Sequence, residues 1–508
     1  MTKQMAEKNV VVVWIQKAGW IIIMMLLAVS AYAANDPLKQ GMQLYKKHRY
    51  EQAINLLYNH LASNDSGRLD KIYLGLGMSC LANAKLYRDL YQAAIAFNRD
   101  YLMRLLPVEG PSESHLIHLY LGKTHLAAGE RAEAIAAFKR FLADKHARPV
   151  DKDLARIGLA TAYYQQGKHT RAHDLWSRVE TNQPQRLTSQ AAAYCRVGLA
   201  EKKPLIMCQN ALRQIWQSGR LPSIQITSDL IYVYTKEGSL EKGFELIRQA
   251  DLKAFFHQEI PAKNKVIRYY DSALLGNLSI FYGRAAVKFL EKANSSKDKK
   301  VNNLARYYLS ESYGLLDSPD QSERLIKEFI LAGGNSSRLK NRARIRQVFN
   351  QYQLGNRDAA RQQIKSLLQS EPEPNLMAEI LLGCIRHQFE VPQVVITASA
   401  MAQRGEGRAV SKLNFALGKY YLWKKDYSKA VSHMEAGRDK SNKNRIEFND
   451  PLLLVNLAEV YYRSKQFSEA LEIFFEMSKQ FPAVRQIQVA LQGVYSMEQK
   501  SAGDVKIL

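Results

Sequence analysis

Cysteine, proline and glycine are all scarce in this chain, at 4, 14 and 27 of 508 residues. Four cysteines, none in a Cys-x-x-Cys pair, exclude a disulfide-built scaffold and argue against zinc ribbons, thioredoxin-type motifs and c-type haem attachment. Proline and glycine stand at roughly 3% and 5%, below the usual values of about 5% and 7%, so few residues interrupt helices. Acidic residues are also short: 48 Asp and Glu face 72 Lys and Arg, a net charge of +24 with histidine neutral. There is no His-Glu-x-x-His, no Gly-x-Ser-x-Gly and no glycine-rich dinucleotide turn after a strand. Apolar residues at 46% are ample for packed cores, which excludes a disordered polycation. A single compact core does not suit this length.

The N-terminus carries the one long apolar run. Lys3, Lys8 and Lys17 precede a stretch from Ala18 to Ser30, followed by Ala31-Tyr32-Ala33. This tripartite pattern predicts a signal peptide over residues 1–33, cleaved after Ala33. The run of 13 residues is shorter than the roughly 20 a bilayer span needs. Extended over residues 10–30 it reads instead as an inner-membrane anchor, which would be the chain's only membrane contact. Cleavage removes three Lys and one Glu, leaving +22 on a mature chain expected in the periplasm or outside the cell.

Five segments, at 41–54, 121–138, 159–176, 417–434 and 457–474, share one frame. Each places a small residue twelve positions before an alanine: Gly41 and Ala53, Gly122 and Ala134, Ala160 and Ala172, Gly418 and Ala430, Ala458 and Ala470. Two antiparallel helices joined by a tight turn approach closely only where side chains are small, which is what such a spacing provides. One hairpin leaves its apolar face half exposed, so copies must stack. The pattern resembles the tetratricopeptide repeat, and the copy at 457–474 follows that signature furthest, with Leu457, Ala458, Tyr461, Phe467, Ala470, Phe474 and Pro482 in register. Weaker copies keep Leu230, Tyr234, Gly238 and Gly243; Leu309, Ser310, Tyr313 and Ser322; and Gly355, Ala360 and Ile364. Gaps at 70–102, 188–217, 266–294 and 376–402 each have room for one further degenerate hairpin. The expected fold is therefore all-α: a right-handed superhelical solenoid of about twelve antiparallel hairpins over residues 34–482, followed by a capping helix and tail over 483–508.

Little in the chain suggests chemistry. Gly122-Lys123-Thr124 looks like the end of a phosphate loop, but the glycine needed five residues earlier is Ile117. His115, His118 and His125 share a helix face, with His118 and His125 at aromatic packing positions of their repeat, so packing outweighs metal binding. His169 and His173 read as a solvated helix start. Cys195 and Cys208 flank the turn at Glu201–Pro204 almost symmetrically, compatible with a disulfide or with two buried thiols. Cys80 and Cys384 occupy core-like positions. No catalytic residue, metal or cofactor is expected.

The resemblance implies protein or peptide recognition on a concave face lined by fixed positions of each first helix. On that frame the displayed residues are Tyr45, Lys46, Lys123, Tyr164, Arg342, Phe349, Tyr352, Lys412, Lys419, Trp423, Tyr462 and Arg463. Arg338, Lys340, Arg342, Arg344 and Arg346 form the densest basic run. Arg342 and Arg346 fall where chaperone-binding relatives carry two basic residues of a carboxylate clamp, although Tyr308 replaces the clamp's asparagine. The pair reads either as an anion site or as solvated charge. The expected function is a non-catalytic exported scaffold that binds an acidic protein or peptide in the cell envelope. The alternative is a polyanion module for acidic polysaccharide or lipid head groups; the export signal disfavours nucleic acid.

Overall fold

The computed structural model describes residues 36–62, 68–106, 111–178, 224–249, 257–438 and 457–473, apart from positions 146, 263–264, 334–335, 371, 406, 462, 467 and 471. The signal segment 1–33, the Cys195–Cys208 pair, Tyr462, the gap at 188–217 and the C-terminal cap 483–508 lie outside these residues.

The architecture is an all-α solenoid of helical hairpins. In chain order, α1 (Pro37–Lys46) pairs with α2 (Tyr50–Ala62), α4 (Pro111–Ala127) with α5 (Arg131–Ala143), α6 (Pro149–Gln165) with α7 (His169–Ser177), and α8 (Ile224–Glu237) with α9 (Leu240–Gln249). Further on, α11 (Lys299–Leu315) pairs with α12 (Pro319–Leu331), α13 (Ser337–Gln353) with α14 (Arg357–Gln369), α15 (Pro374–Arg386) with α16 (Pro392–Arg404), and α17 (Arg408–Trp423) with α18 (Tyr427–Arg438).

The few prolines sit where they start helices rather than break them: Pro37, Pro149, Pro319, Pro374 and Pro392 open their helices, where the missing N–H costs nothing. Asp36 and Asp298 cap α1 and α11 by accepting from backbone N–H groups two and three residues on. Each alanine of the sequence frame is fully buried, from Ala53 to Ala470. A β-carbon on Gly122 would lie 2.6 Å from the Phe138 ring, which explains why this seam takes no larger residue. Seven residues after Gly41, Gly122, Ala160, Ser310, Gly418 and Ala458 the chain turns in the left-handed region, at His48, Gly129, Gly167, Asp317, Lys425 and Lys465, and it makes the same turn at Gly238, Gly355 and Gln388, seven residues after the larger Ile231, Val348 and Leu381. This turn repeats more faithfully than the aromatic positions do.

Two of the sequence gaps depart from expectation. Residues 70–102 form no hairpin but part of one continuous helix, α3 (Leu69–Leu105). Residues 266–294 hold a strand and a single helix, α10 (Ser272–Asn294). The strand belongs to an antiparallel pair, β1 (His257–Ala262) and β2 (Lys265–Tyr270), with Ile260 opposite Ile267. The run Val266, Ile267, Tyr269, Tyr270 is rich in β-branched and aromatic residues, which suits a strand better than a helix. Helices α3 and α10, besides packing on their sequence neighbours, pack against one another in antiparallel fashion across about 200 residues of sequence. Tyr87 stacks on Tyr282 at 5.7 Å, Ser279 Oγ donates to the Ala84 carbonyl at 2.9 Å, and Gly77 faces Leu290. The gap at 376–402 is filled by α15 and α16, as expected. Among the described residues, two of the expected gap hairpins are thus replaced by one pair formed jointly by α3 and α10.

Candidate binding cavity

The pairing of α3 with α10 also brings α3 against α11. Helices α11, α13 and α15, the first helices of three successive hairpins, lie side by side; α3 and the end of α1 face them. Between them is a cavity of about 350 Å³. Tyr307, Tyr308 and Glu311 line it from α11, Arg342, Ile345, Arg346 and Phe349 from α13, and Glu379, Leu382, Gly383 and Arg386 from α15, with His387 just beyond. Tyr45 of α1 and Lys85 of α3 complete the wall.

Its charges are mostly paired. Arg346, 8% exposed, donates from Nε to Glu311 Oε1 at 2.8 Å, while Lys85 Nζ donates to Glu311 Oε2, also at 2.8 Å. Gly314 makes room for this arrangement, because a β-carbon there would lie 2.6 Å from an Arg346 guanidinium nitrogen. Burial alone would raise the Glu311 pKa, but Arg346 and Lys85 reverse that and hold the carboxyl well below the usual range. Arg342 grips Glu379, with Nε at 2.7 and 2.9 Å from the two carboxylate oxygens and a further bond from its terminal nitrogen. Burial works against the charged Arg342, and Glu379 more than compensates, raising its pKa.

Arg386 differs from the other three cations. It remains accessible, and among the described residues no carboxylate forms an ion pair with it. Enclosure by protein lowers its pKa; Asp89 opposes the shift, while Arg346 and Arg88 add to it. Burial, joined by the Arg386, Arg346 and Arg88 cations, holds the His387 imidazole down at about 3, so the ring is neutral as it stacks on Phe349 at 5.1 Å. At neutral pH the cavity therefore holds four cations against two carboxylates. Burial also pushes the Tyr308 phenol up to about 12 and raises that of Tyr45, so both stay protonated.

These shifts set a pH dependence. An unperturbed His387 titrates at 6.5, the folded one near 3. Between those values the unfolded chain binds a proton that the folded chain refuses, so stability present above about pH 6.5 is lost as pH falls. Glu311 acts the same way at lower pH: its contribution is present above its ordinary value of 4.5 and is lost on further acidification. His387→Phe keeps a ring against Phe349 and removes the proton site. Its melting temperature should vary less between pH 6.5 and 4 than that of the parent chain; an identical slope would rule out the histidine as a source.

Of the sequence candidates, Tyr45, Arg342, Arg346 and Phe349 meet in this cavity. Arg342 and Arg346 are neither a free clamp nor a solvated run, because their carboxylate partners come from neighbouring hairpins. Tyr352 stacks on Phe389 at 4.3 Å and belongs to the packing between repeats. Lys123, Tyr164, Lys412, Lys419, Trp423 and Arg463 lie outside the cavity, and Lys46 is exposed beside it in sequence. Tyr164 meets His169 edge-on at 4.4 Å, Lys424 covers Trp423 at 4.3 Å, and Arg463 pairs with Glu459 at 3.7 Å. Lys85, Glu311, Glu379, Arg386 and His387 were not singled out by sequence. No sequence signal marks α15 as a repeat helix, because the turn that follows it falls on Gln388, a residue type that does not announce a left-handed conformation.

Other motifs settle into structural roles. Thr124 donates to the Tyr120 carbonyl within α4, and His125 Nδ1 meets Glu130 at 2.7 Å. Cys80 and Cys384 are buried thiols, and burial pushes that of Cys384 up to about 12. Among the described residues, no group of three or more His, Cys, Asp and Glu is placed to hold a metal.

Residues 119–186 match the family model of the tetratricopeptide repeat, and residues 456–480 match that of the PPR repeat. No curated protein matches the chain. Among solved structures, yeast Tom70 is 9% identical, covering 93% of this chain and 98% of that one, with a TM-score of 0.34. The hetero-tetramer Cut9–Hcn1 of APC/C is 14% identical over 92% and 98%, with a TM-score of 0.28. The TPR domain of P58(IPK) is 16% identical over 76% and 99%, with a TM-score of 0.19. Superpositions this loose carry no argument about shape or partner.

Proposed function

We propose that this chain, whose residues 119–186 match the tetratricopeptide-repeat model, is a non-catalytic scaffold, exported to the cell envelope, that binds an acidic protein or peptide partner. Repeat solenoids of this kind bind proteins in general. What supports the acidic preference is the cavity, where Lys85, Arg342, Arg346 and Arg386 stand against Glu311 and Glu379, on top of a net charge of +24. The export reading rests on the N-terminal pattern of charge, apolar run and Ala31-Tyr32-Ala33. A polyanion module for acidic glycan or lipid head groups is the competing reading, favoured by Arg338 and Arg344, which stand exposed on α13.

Site-specific photo-cross-linking in the native envelope separates the two. A photoreactive residue at Lys46 or Lys419 should give an adduct with one envelope protein, and the same residue at Lys365 on α14 should give none. The adduct should weaken severalfold between 50 and 200 mM salt, as steering by exposed charge requires. Retention on an acidic-glycan column with no protein adduct would replace the scaffold reading by the polyanion one.

A further inference from the structure

The inner surface of a solenoid is usually an open trough, but here α1 and α3 close it at one place. Tyr45 and Lys85 wall the cavity from the side opposite α11, α13 and α15. The cavity volume, about 350 Å³, lies at the lower end of the roughly 300–1,000 Å³ that small-molecule sites occupy.

Three of its four cations are committed: Lys85 and Arg346 to Glu311, and Arg342 to Glu379. Arg386 alone has no ion pair among the described residues, although Asp89 lies within electrostatic reach and Arg88 and Arg346 crowd it with like charge. A guanidinium so held gains from any anion that reaches it, and its planar fork suits a carboxylate or a phosphate. The remaining wall is partly apolar, with Ile345, Phe349 and Leu382 beside the Tyr308 ring. We propose that this cavity is a site for a small organic anion with an apolar body, its charged end on Arg386 and its body against Phe349, Leu382 and Tyr308. This goes beyond the scaffold reading, since the ligand is a small molecule and not a partner chain. Because the walls come from both the N-terminal helices and the later repeats, occupancy also fastens α1 and α3 onto α11, α13 and α15.

The test uses the full mature chain, titrated calorimetrically and melted with 3-phenylpropionate, phenyl phosphate, inorganic phosphate and an acetylated hexapeptide bearing a free C-terminal carboxylate. One or both aryl anions should bind and raise the melting temperature, and which of them binds more tightly identifies the charged group. Arg386→Gln should weaken that binding by about tenfold or more. Its unliganded melting temperature should change little, since the substitution breaks no ion pair and the attraction of Asp89 and Glu311 opposes the repulsion of Arg346 and Arg88. Glu379→Gln, which frees Arg342, should strengthen binding, and Lys365→Gln should leave it unchanged. The proposal is overturned if neither aryl anion binds at about 10 mM, if Arg386→Gln binds as the parent does, or if the peptide binds more tightly than the aryl anions. The last result would leave the scaffold reading standing while removing this one.

Discussion

Glu311→Gln is expected to destabilise the repeats around α11 by about 3–5 kcal/mol, more than any other single change in the cavity. The carboxylate holds two cations at once, and one of them, Arg346, is only 8% exposed. Without the negative charge, Arg346 stays 8% exposed with its guanidinium packed against Gly314 and no other carboxylate paired with it among the described residues. Lys85 is 36% exposed and can turn out into solvent, so Lys85→Gln should cost about 1 kcal/mol or less. The ranking follows from burial and not from the number of bonds broken. Removing both buried charges, as in Glu311→Gln with Arg346→Met, should recover much of the loss, because a well-packed apolar pair often equals a buried ion pair. Hydrogen exchange of α11 and α13 measures this locally, which matters in a solenoid whose repeats need not unfold together. Equal effects of Glu311→Gln and Lys85→Gln would show that Arg346 is not dependent on Glu311.

Gly77→Val should have the second largest effect, and it acts on the fold. A β-carbon at position 77 would lie 2.4 Å from Leu290 Cγ, inside any tolerable contact, and Leu290 is fully buried. Leu290 cannot retreat, so α3 and α10 must separate, at a cost of about 3 kcal/mol or more. The strain falls within the seam that also holds the Tyr87–Tyr282 stack, and the same helix α3 carries Lys85 to its bridge with Glu311 of α11. The variant should therefore lose tyrosine near-ultraviolet dichroism and expose the cavity, while hairpins such as α13 with α14 keep their protection. Gly129→Asn is the matched control: its φ is 77°, nothing lies near its absent side chain, and asparagine tolerates that conformation. If Gly77→Val melts like Gly129→Asn, α3 and α10 do not pack as described.

Much of this architecture is written locally in the sequence. Small residues twelve apart, such as Gly122 and Ala134, specify a seam that only neighbouring helices can fill, and the burial of every one of them follows. Cys80 and Cys384 were readable as core for the same reason. The pairing of α3 with α10 was not readable, because each segment resembles a failed copy of the local repeat and nothing in either names a partner some 200 residues away. The β-hairpin escaped because its second strand runs straight into a helix. In the cavity, the basic run of α13 is conspicuous, but its neutralisation depends on Glu311 and Glu379, one hairpin to either side. A charge pattern read along one helix cannot reveal its neighbours' carboxylates. Arg386 was missed because its hairpin had no assigned frame: its turn falls on Gln388 instead of a glycine.

The central claim is that helix α3 lies across the inner side of the later repeats and closes the cavity. Lys85 Nζ and Glu311 Oε2 stand 2.8 Å apart in space and 226 residues apart in sequence, within reach of a zero-length carbodiimide cross-link. Mass spectrometry of the treated and digested protein should find an amide joining residues 85 and 311, together with one joining Lys288 and Glu241, whose charged atoms are 2.9 Å apart. Recovery of the 288–241 link without any 85–311 link would contradict the account, and the inner face of α11, α13 and α15 would then be open.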